Sequence, residues 1–265
     1  RLPTKGSNDN IDENTASEIL SYGIDNGINL IDTAYPYHDG ESEPFVGRVL
    51  KKYKREDFYL ATKLPMFKID SLEQAKEIFE EQIKRLDVDY VDFYLLHALN
   101  KDTWKKVIDL NIIPYCEELK KQGRIKNFGF SFHDDYEVFE EIINYRDWDF
   151  CQIQLNYIDT DIQAGMKGYK LTEEKNVPLV IMEPIKGGAL ASLSDDIEKV
   201  FTDYNQNVSI SSWALRFVAS LPNVKVVLSG MSTYAQVEDN LATFKDFKPL
   251  DQDEEKLVEK VANMI

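Results

Sequence analysis

The chain has 265 residues, 43% hydrophobic and 12% aromatic, with 47 acidic against 31 basic residues and a formal net charge of −16. That is enough apolar material for one α/β barrel or for two smaller domains. The charge balance argues against nucleic acid and anionic membranes as partners, because phosphate-rich surfaces need a basic patch and none is visible. No apolar run approaches the ~18 residues of a membrane span, whereas a phosphorylated cofactor needs only a few local donors and stays open. The two cysteines, Cys116 and Cys151, lie far apart with no CxxC spacing. They suggest neither a disulfide framework nor a zinc knuckle, and a reducing, cytoplasmic setting is expected.

The opening RLPTKGSNDN reads as loop. A first helix is predicted over Asn14–Asn26, capped by Asn14 or Thr15. Ile28–Ala34 follows as a short buried strand between Gly27 and Pro36. Further strands are predicted at Phe58–Leu64, Asp92–Ala98, Asn127–Phe132, Phe150–Asn156, Pro178–Pro184 and Val224–Gly230. Helical patterns lie between them. Over Ser71–Leu86 a single stripe carries Leu72, Ala75, Ile78, Phe79, Ile83 and Leu86. Tyr115–Gln122 is stopped by Gly123, a later helix opens at Asp195 or Ile197, and the acidic run Asp251–Lys256 suits the first turn of a terminal helix.

Strict β-then-α alternation calls for a parallel sheet, either open and doubly wound or closed. About seven strands are countable, whereas a closed barrel has eight. The first helix has no strand before it. The expectation is therefore an α/β chain of one domain, residues 1–265, folded as a (β/α)8 TIM barrel whose first strand lies upstream of Arg1. Polar residues that follow the apolar runs favour the barrel, since they collect at the active-site end: Asp32, Lys63, His97, Ser131, Gln152, Asn156, Glu183 and Ser229.

Three of these positions, together with Tyr37, have a joint chemical logic. Asp32 ends its strand on a face shared with Ile28 and Leu30. An ionised carboxylate there needs a cation, and Lys63 on the neighbouring strand can supply it. Tyr37 sits in the loop just past Asp32. A neighbouring ammonium favours the phenolate and makes the phenol a better acid toward a developing alkoxide. His97 can orient a carbonyl or join the relay, kept neutral by desolvation.

The runs IDTAYPYHDGESEPFVGRVL, ATKLP, LLHAL, GRIKNFGFSF, PIKGGAL and SGMSTYAQVEDNL together resemble the aldo-keto reductase family, in order and over essentially the whole chain. The resemblance implies a (β/α)8 barrel that binds NADP or NAD without a GxGxxG motif, and reduction of a small carbonyl substrate. It implies Tyr37 as general acid, Lys63 and Asp32 as its tuning pair, and His97 as the group directing the carbonyl. For the cofactor it implies Ser131 and Gln152 at the carboxamide, and Met182 where a ring often stacks on the nicotinamide. Pro184, Ile185, Gly187 and Gly188 would line the pyrophosphate path. Gly230, Met231, Ser232, Gln236, Asp239 and Asn240 would meet the adenosine phosphate. Phe132 stands where the family usually has Asn, so one donor is lost. NADP-preferring members often carry Lys or Arg where Gly230 and Gln236 stand, so NAD is a live option. Lys186 is equally a surface lysine or a phosphate contact.

The runs GFSFHDD, QLNYIDTDIQAGMKG and IMEPIKGGALA are similar to a subgroup with a C-terminal, ferredoxin-like iron–sulfur extension. Such an extension, with its 4Fe-4S clusters, is expected outside this chain. Two alternatives stay open. One is a non-catalytic nicotinamide-binding redox sensor or subunit on the same barrel. The other is a metal-assisted hydrolase using His97, Asp32 and Glu183, for which three histidines are few; no metal is expected.

Overall fold

The computed structural model describes residues 2–6 and 10–265. The predicted alternation is present. In chain order the elements are α1 (Glu13–Asp25), β1 (Leu30–Asp32), α2 (Ser42–Leu50), β2 (Tyr59–Leu64), α3 (Leu72–Leu86), β3 (Val91–Leu99), α4 (Lys101–Asp109), α5 (Ile112–Lys121), β4 (Ile125–Phe132), α6 (Tyr136–Tyr145), β5 (Phe150–Gln154), α7 (Gly165–Glu174), β6 (Leu179–Met182), α8 (Asp195–Tyr204), α9 (Ile210–Ala219), β7 (Val224–Val227), α10 (Tyr234–Lys245) and α11 (Gln252–Ala262). The strands form one parallel sheet in the order β1 to β7, the strand arrangement of a (β/α)8 barrel. Among the described residues the sheet has seven strands, and β1 and β7 pair with no eighth. Of the opening loop, residue 1 and residues 7–9 lie outside the described residues; Thr4 and Ile11 form an antiparallel bridge.

Local boundaries differ from the sequence reading at several element ends. The first helix begins at Glu13, with Asp12 at the N-cap position rather than Asn14 or Thr15. Thr15 Oγ1 instead donates to Asp12 Oδ2 at 2.9 Å. Strands β1, β6 and β7 are shorter than their apolar runs, because the chain turns away where ladder pairing ends. The Tyr115–Gln122 pattern is part of a longer helix that starts at Ile112, before Pro114, which fits an N-terminal turn. Asp195 opens α8, and Asp251 caps α11 by accepting from the Asp253 and Glu254 amides.

The interior has two shells. Side chains of alternate strand residues face the helices, where Leu60, Leu64, Tyr94, Leu96, Phe128 and Phe130 pack against helix residues such as Phe79 and Phe139. The opposite parity faces inward, with Ala61, Leu95, Phe150 and Val180 clustered inside the sheet. A cavity of about 200 Å³ lies among these inward residues, and Leu30 of β1 and Val226 of β7 both reach its wall. Helices α8, α9 and α11 form a separate apolar cluster around the stacked Phe201 and Trp213 rings. Cys116 and Cys151 are buried and free. Among the described residues no helix is long and apolar enough to cross a membrane.

Candidate active site

The C-terminal ends of β1, β2 and β3 converge because parallel neighbours pair in register, Asp32 beside Ala61 and Lys63 beside Leu95. Period-two alternation then aims Asp32 and Lys63 to the same, inner side. The Lys63 side chain is 0% exposed. Its ammonium donates to Asp32 Oδ1 at 2.8 Å, Asp32 Oδ2 at 2.7 Å and the Thr33 carbonyl at 2.7 Å. All three of its protons have an acceptor close by. Burial opposes the charge on Lys63, but the Asp32 carboxylate, and after it the Tyr37 phenol, outweigh that penalty and hold its pKa above the ordinary lysine value.

Tyr37 begins a short 3₁₀ turn, Tyr37–Gly40, between β1 and α2. Its ring is 38% exposed and lies over the ammonium, with Lys63 Nζ 5.0 Å from the ring centroid. The His97 ring meets Tyr37 edge-on at 5.8 Å and Phe67 at 5.6 Å between centroids. Burial, then Lys63, then His133 push the His97 pKa from 6.5 down to about 3, so the imidazole is neutral near pH 7. Its Nδ1 is buried without a hydrogen-bond partner. Asp32, Tyr37, Lys63 and His97, the four residues singled out in the sequence, thus stand together.

His97 lies at an irregularity of β3. The β3–β4 register shifts between Leu96 and Leu99, and Ala98 takes a left-handed φ of 53°. The Ala98 N–H donates to Ser131 Oγ at 2.8 Å. Because that oxygen accepts from the backbone, the Ser131 hydroxyl proton is directed elsewhere. Gln152 is buried beside it on β5, pairing in the ladder with Val180, and donates to the weak acceptor Met182 Sδ at 3.3 Å. Ser131 and Gln152, neighbours across β4 and β5, therefore keep polar capacity for a carboxamide.

Past β6, Pro184 is buried, Ile185 half-buried, and Gly187 and Gly188 have positive φ with open space where a Cβ would stand. That backbone can be approached closely by a phosphate path. Lys186 is neither a free surface lysine nor committed to a phosphate. It donates to buried Asp159 at 2.5 Å, which also accepts from Asn156 at 3.0 Å and Gln154 at 3.2 Å. The sequence reading did not find Asp159, nor Phe67 beside His97.

The adenosine-side residues fall on the segment leading into α10, but several already have structural partners. Gln236 Oε1 accepts from the Ser232 N–H at 2.7 Å and the Thr233 N–H at 3.2 Å, in a capping box with Thr233. Asp239 accepts from Ser209 and Ser211, and Asn240 donates to Ser229 Oγ at 2.7 Å. Gly230 is exposed and Met231 half-buried. The metal-ligand alternative has poor geometry. Both Asp32 oxygens are engaged by Lys63, and among the described residues no cluster of three His, Cys, Asp or Glu could hold a metal ion.

The profile of the aldo/keto reductase family matches residues 3–263. The chain belongs to the aldo/keto reductase family. It is 27% identical over 260 residues to an uncharacterized oxidoreductase of Bacillus subtilis (strain 168), covering 87% of this chain and 82% of the relative. It is 25% identical over 264 residues to the NADH-specific methylglyoxal reductase of Escherichia coli (strain K12), covering 82% and 78%. Its structure resembles the holo form of an aldo-keto reductase from Bacillus halodurans with a TM-score of 0.80 and 27% identity, over 98% of this chain and 91% of that one.

Proposed function

We propose that this aldo/keto reductase reduces a small aldehyde or ketone, with Tyr37 as the proton donor and Lys63, Asp32 and His97 as its partners. The observation that carries the reading is the fully buried Lys63 ammonium, gripped by both oxygens of Asp32 and lying under the Tyr37 ring. A bare buried ion pair would often be no more stabilising than an apolar replacement. Here the pair sits beneath a partly exposed phenol at the mouth of the strands, where it can act on a reaction.

Ser131 and Gln152 would hold the carboxamide of a nicotinamide, and the Pro184–Gly188 backbone its pyrophosphate. When bound, the reduced nicotinamide supplies the hydride that a carbonyl carbon receives. As charge grows on the carbonyl oxygen, Tyr37 hands over its phenolic proton. The adjacent Lys63 ammonium steadies the phenolate left behind, and Asp32 holds that ammonium in place. Neutral His97 presents an imidazole to the same oxygen without adding a charge that would compete with Lys63. These interactions strengthen only as the carbonyl oxygen becomes negative, so they act on turnover more than on binding.

We further infer a preference for NADH. Neither Gly230 nor Gln236 is a cation, and Gln236 already occupies two backbone donors that a 2′-phosphate would use. The similarity to the NADH-specific methylglyoxal reductase of Escherichia coli agrees with this. The deciding experiment compares wild type and Tyr37→Phe in single-turnover oxidation of NADH and NADPH with a panel of aldehydes that includes methylglyoxal. Tyr37→Phe should lose about 10²- to 10⁴-fold in rate with cofactor affinity nearly unchanged. Equal rates in the two proteins would remove the mechanism. Tight binding with no consumption by wild type would favour the non-catalytic sensor.

A further inference from the structure

We infer that Arg85 is the positioning residue for Tyr37, and that buried Glu43 and Gln82 tie it to the backbone of Lys63. The inference rests on the reading of Tyr37 as proton donor. Tyr37 is carried by a short connection in which His38, Asp39 and Gly40 all have positive φ, at 51°, 52° and 92°. The turn closes on its own backbone, with the Glu41 N–H donating to the His38 carbonyl at 2.9 Å, but two non-glycine residues at positive φ carry a strain that contacts from elsewhere offset.

Arg85, on α3, supplies them from both sides. Its guanidinium stacks 4.2 Å over the Tyr35 ring, and Nη1 donates to the Tyr35 carbonyl at 3.4 Å. The same group lies 3.4 Å from where a Cβ on Gly40 would be, an ordinary contact distance, while the φ of 92° is what suits glycine at that position. Glu81 closes the clamp. It accepts from Arg85 Nη2 at 2.6 Å and from the Tyr35 hydroxyl at 2.8 Å. Arg85 thus brackets Tyr37 in sequence through Tyr35 and Gly40.

The other end of the device is buried. Arg85 Nη1 lies 3.5 Å from Glu43 Oε2, on a carboxylate that is 0% exposed. Glu43 Oε1 accepts from Thr62 Oγ1 at 2.6 Å and Gln82 Nε2 at 2.8 Å. Gln82 Nε2 also donates to the Lys63 carbonyl at 2.9 Å, and Gln82 Oε1 accepts from the Tyr94 hydroxyl at 2.8 Å. A continuous chain of polar contacts therefore runs from the Lys63 carbonyl through Gln82, Glu43 and Arg85 to the Tyr35 carbonyl. Its members come from β2, α3, α2 and the loop between β1 and α2, and it ties the lysine strand to the tyrosine loop. An apolar core would hold these elements together equally well. What a directional network adds is geometry, and proton transfer is sensitive to misplacement by about 1 Å.

The experiment measures kcat, KM and cofactor affinity for Arg85→Met, Arg85→Lys, Glu43→Gln and Tyr37→Phe, and for the Arg85→Met/Tyr37→Phe double variant, with NADH and methylglyoxal. Arg85→Met should lower kcat about 10- to 100-fold, with NADH affinity within about twofold of wild type. Arg85→Lys should recover part of the loss. The double variant should be no slower than Tyr37→Phe alone, because the arginine acts through the tyrosine. Effects that multiply in the double variant, or an unchanged kcat in Arg85→Met, would overturn the inference. Should Arg85→Met not fold, Glu43→Gln, which keeps size and most hydrogen bonds, should still lower kcat several-fold with NADH affinity unchanged; an unchanged kcat there overturns it. Wild-type rates in Tyr37→Phe would instead bring down the proton-donor reading itself.

Discussion

At the scale of single residues, Lys63 and Asp32 are unequal partners. Lys63 is wholly buried, whereas the Asp32 side chain keeps 18% of its surface exposed. Asp32→Ala strands an ammonium where water does not reach, so it should destabilise by about 3–5 kcal/mol. Lys63→Met removes the buried charge with a side chain of similar length and leaves Asp32 partly solvated. Its cost should be smaller, about 1–3 kcal/mol, although it should abolish most turnover. Urea unfolding of the two variants checks the order. His97 gives a pH signature. Its folded pKa of about 3 lies below the ordinary value of 6.5. Between these values the unfolded chain binds the extra proton, so stability falls as pH drops from about 6.5 toward 3. Replacing His97 by Gln should flatten that part of the stability–pH curve, measured by denaturant titration at successive pH values.

At the scale of elements, the N-terminus of α10 bears on the proposed cofactor preference. Its first turn offers backbone N–H groups and a positive dipole end, which suit a phosphate. The capping box satisfies part of that capacity internally, through Gln236. Gln236→Arg would release the Ser232 and Thr233 amides and add a cation. Affinity for NADPH should rise about tenfold relative to NADH, a gain of about 1.4 kcal/mol, with NADH affinity little changed. Fluorescence titration with the two dinucleotides checks this. On α3, sequence and structure agree on the apolar stripe. Its polar member Gln82 is legible only afterwards, because the stripe Ala75, Phe79, Gln82 and Leu86 is buried as a unit. A polar residue inside such a stripe is the one signal that could have pointed to the network behind Lys63.

Across the whole molecule the net charge of −16 sets a negative field against anionic ligands. NADPH carries one phosphate more than NADH, so it feels that field more strongly. Its disadvantage should be greatest at low ionic strength. It should shrink as the screening length falls from about 30 Å at 0.01 M to under 10 Å at 0.15 M. The ratio of the two dissociation constants, measured across salt, tests this. On so acidic a protein a dinucleotide would depend on local donors, and in the proposed reading Ser131, Gln152, the Ile185–Gly188 backbone and the start of α10 supply them.

Fold class, strand count and the four residues at the mouth were readable from the chain itself. Alternation of apolar residues fixes which way a strand side chain points, and parallel strands joined by helices deliver their ends to one face. Asp32, Lys63 and His97 were visible because a charge or an imidazole at the end of an apolar run needs a reason. The tertiary structure alone decided what surrounds them. Arg85, Glu43 and Gln82 meet from two helices, and Asp159 captures Lys186 from a different loop. Gln236 turns back on its own helix end. Such pairings depend on how far apart whole elements sit and which way long, flexible side chains turn, and periodicity along a chain carries neither quantity.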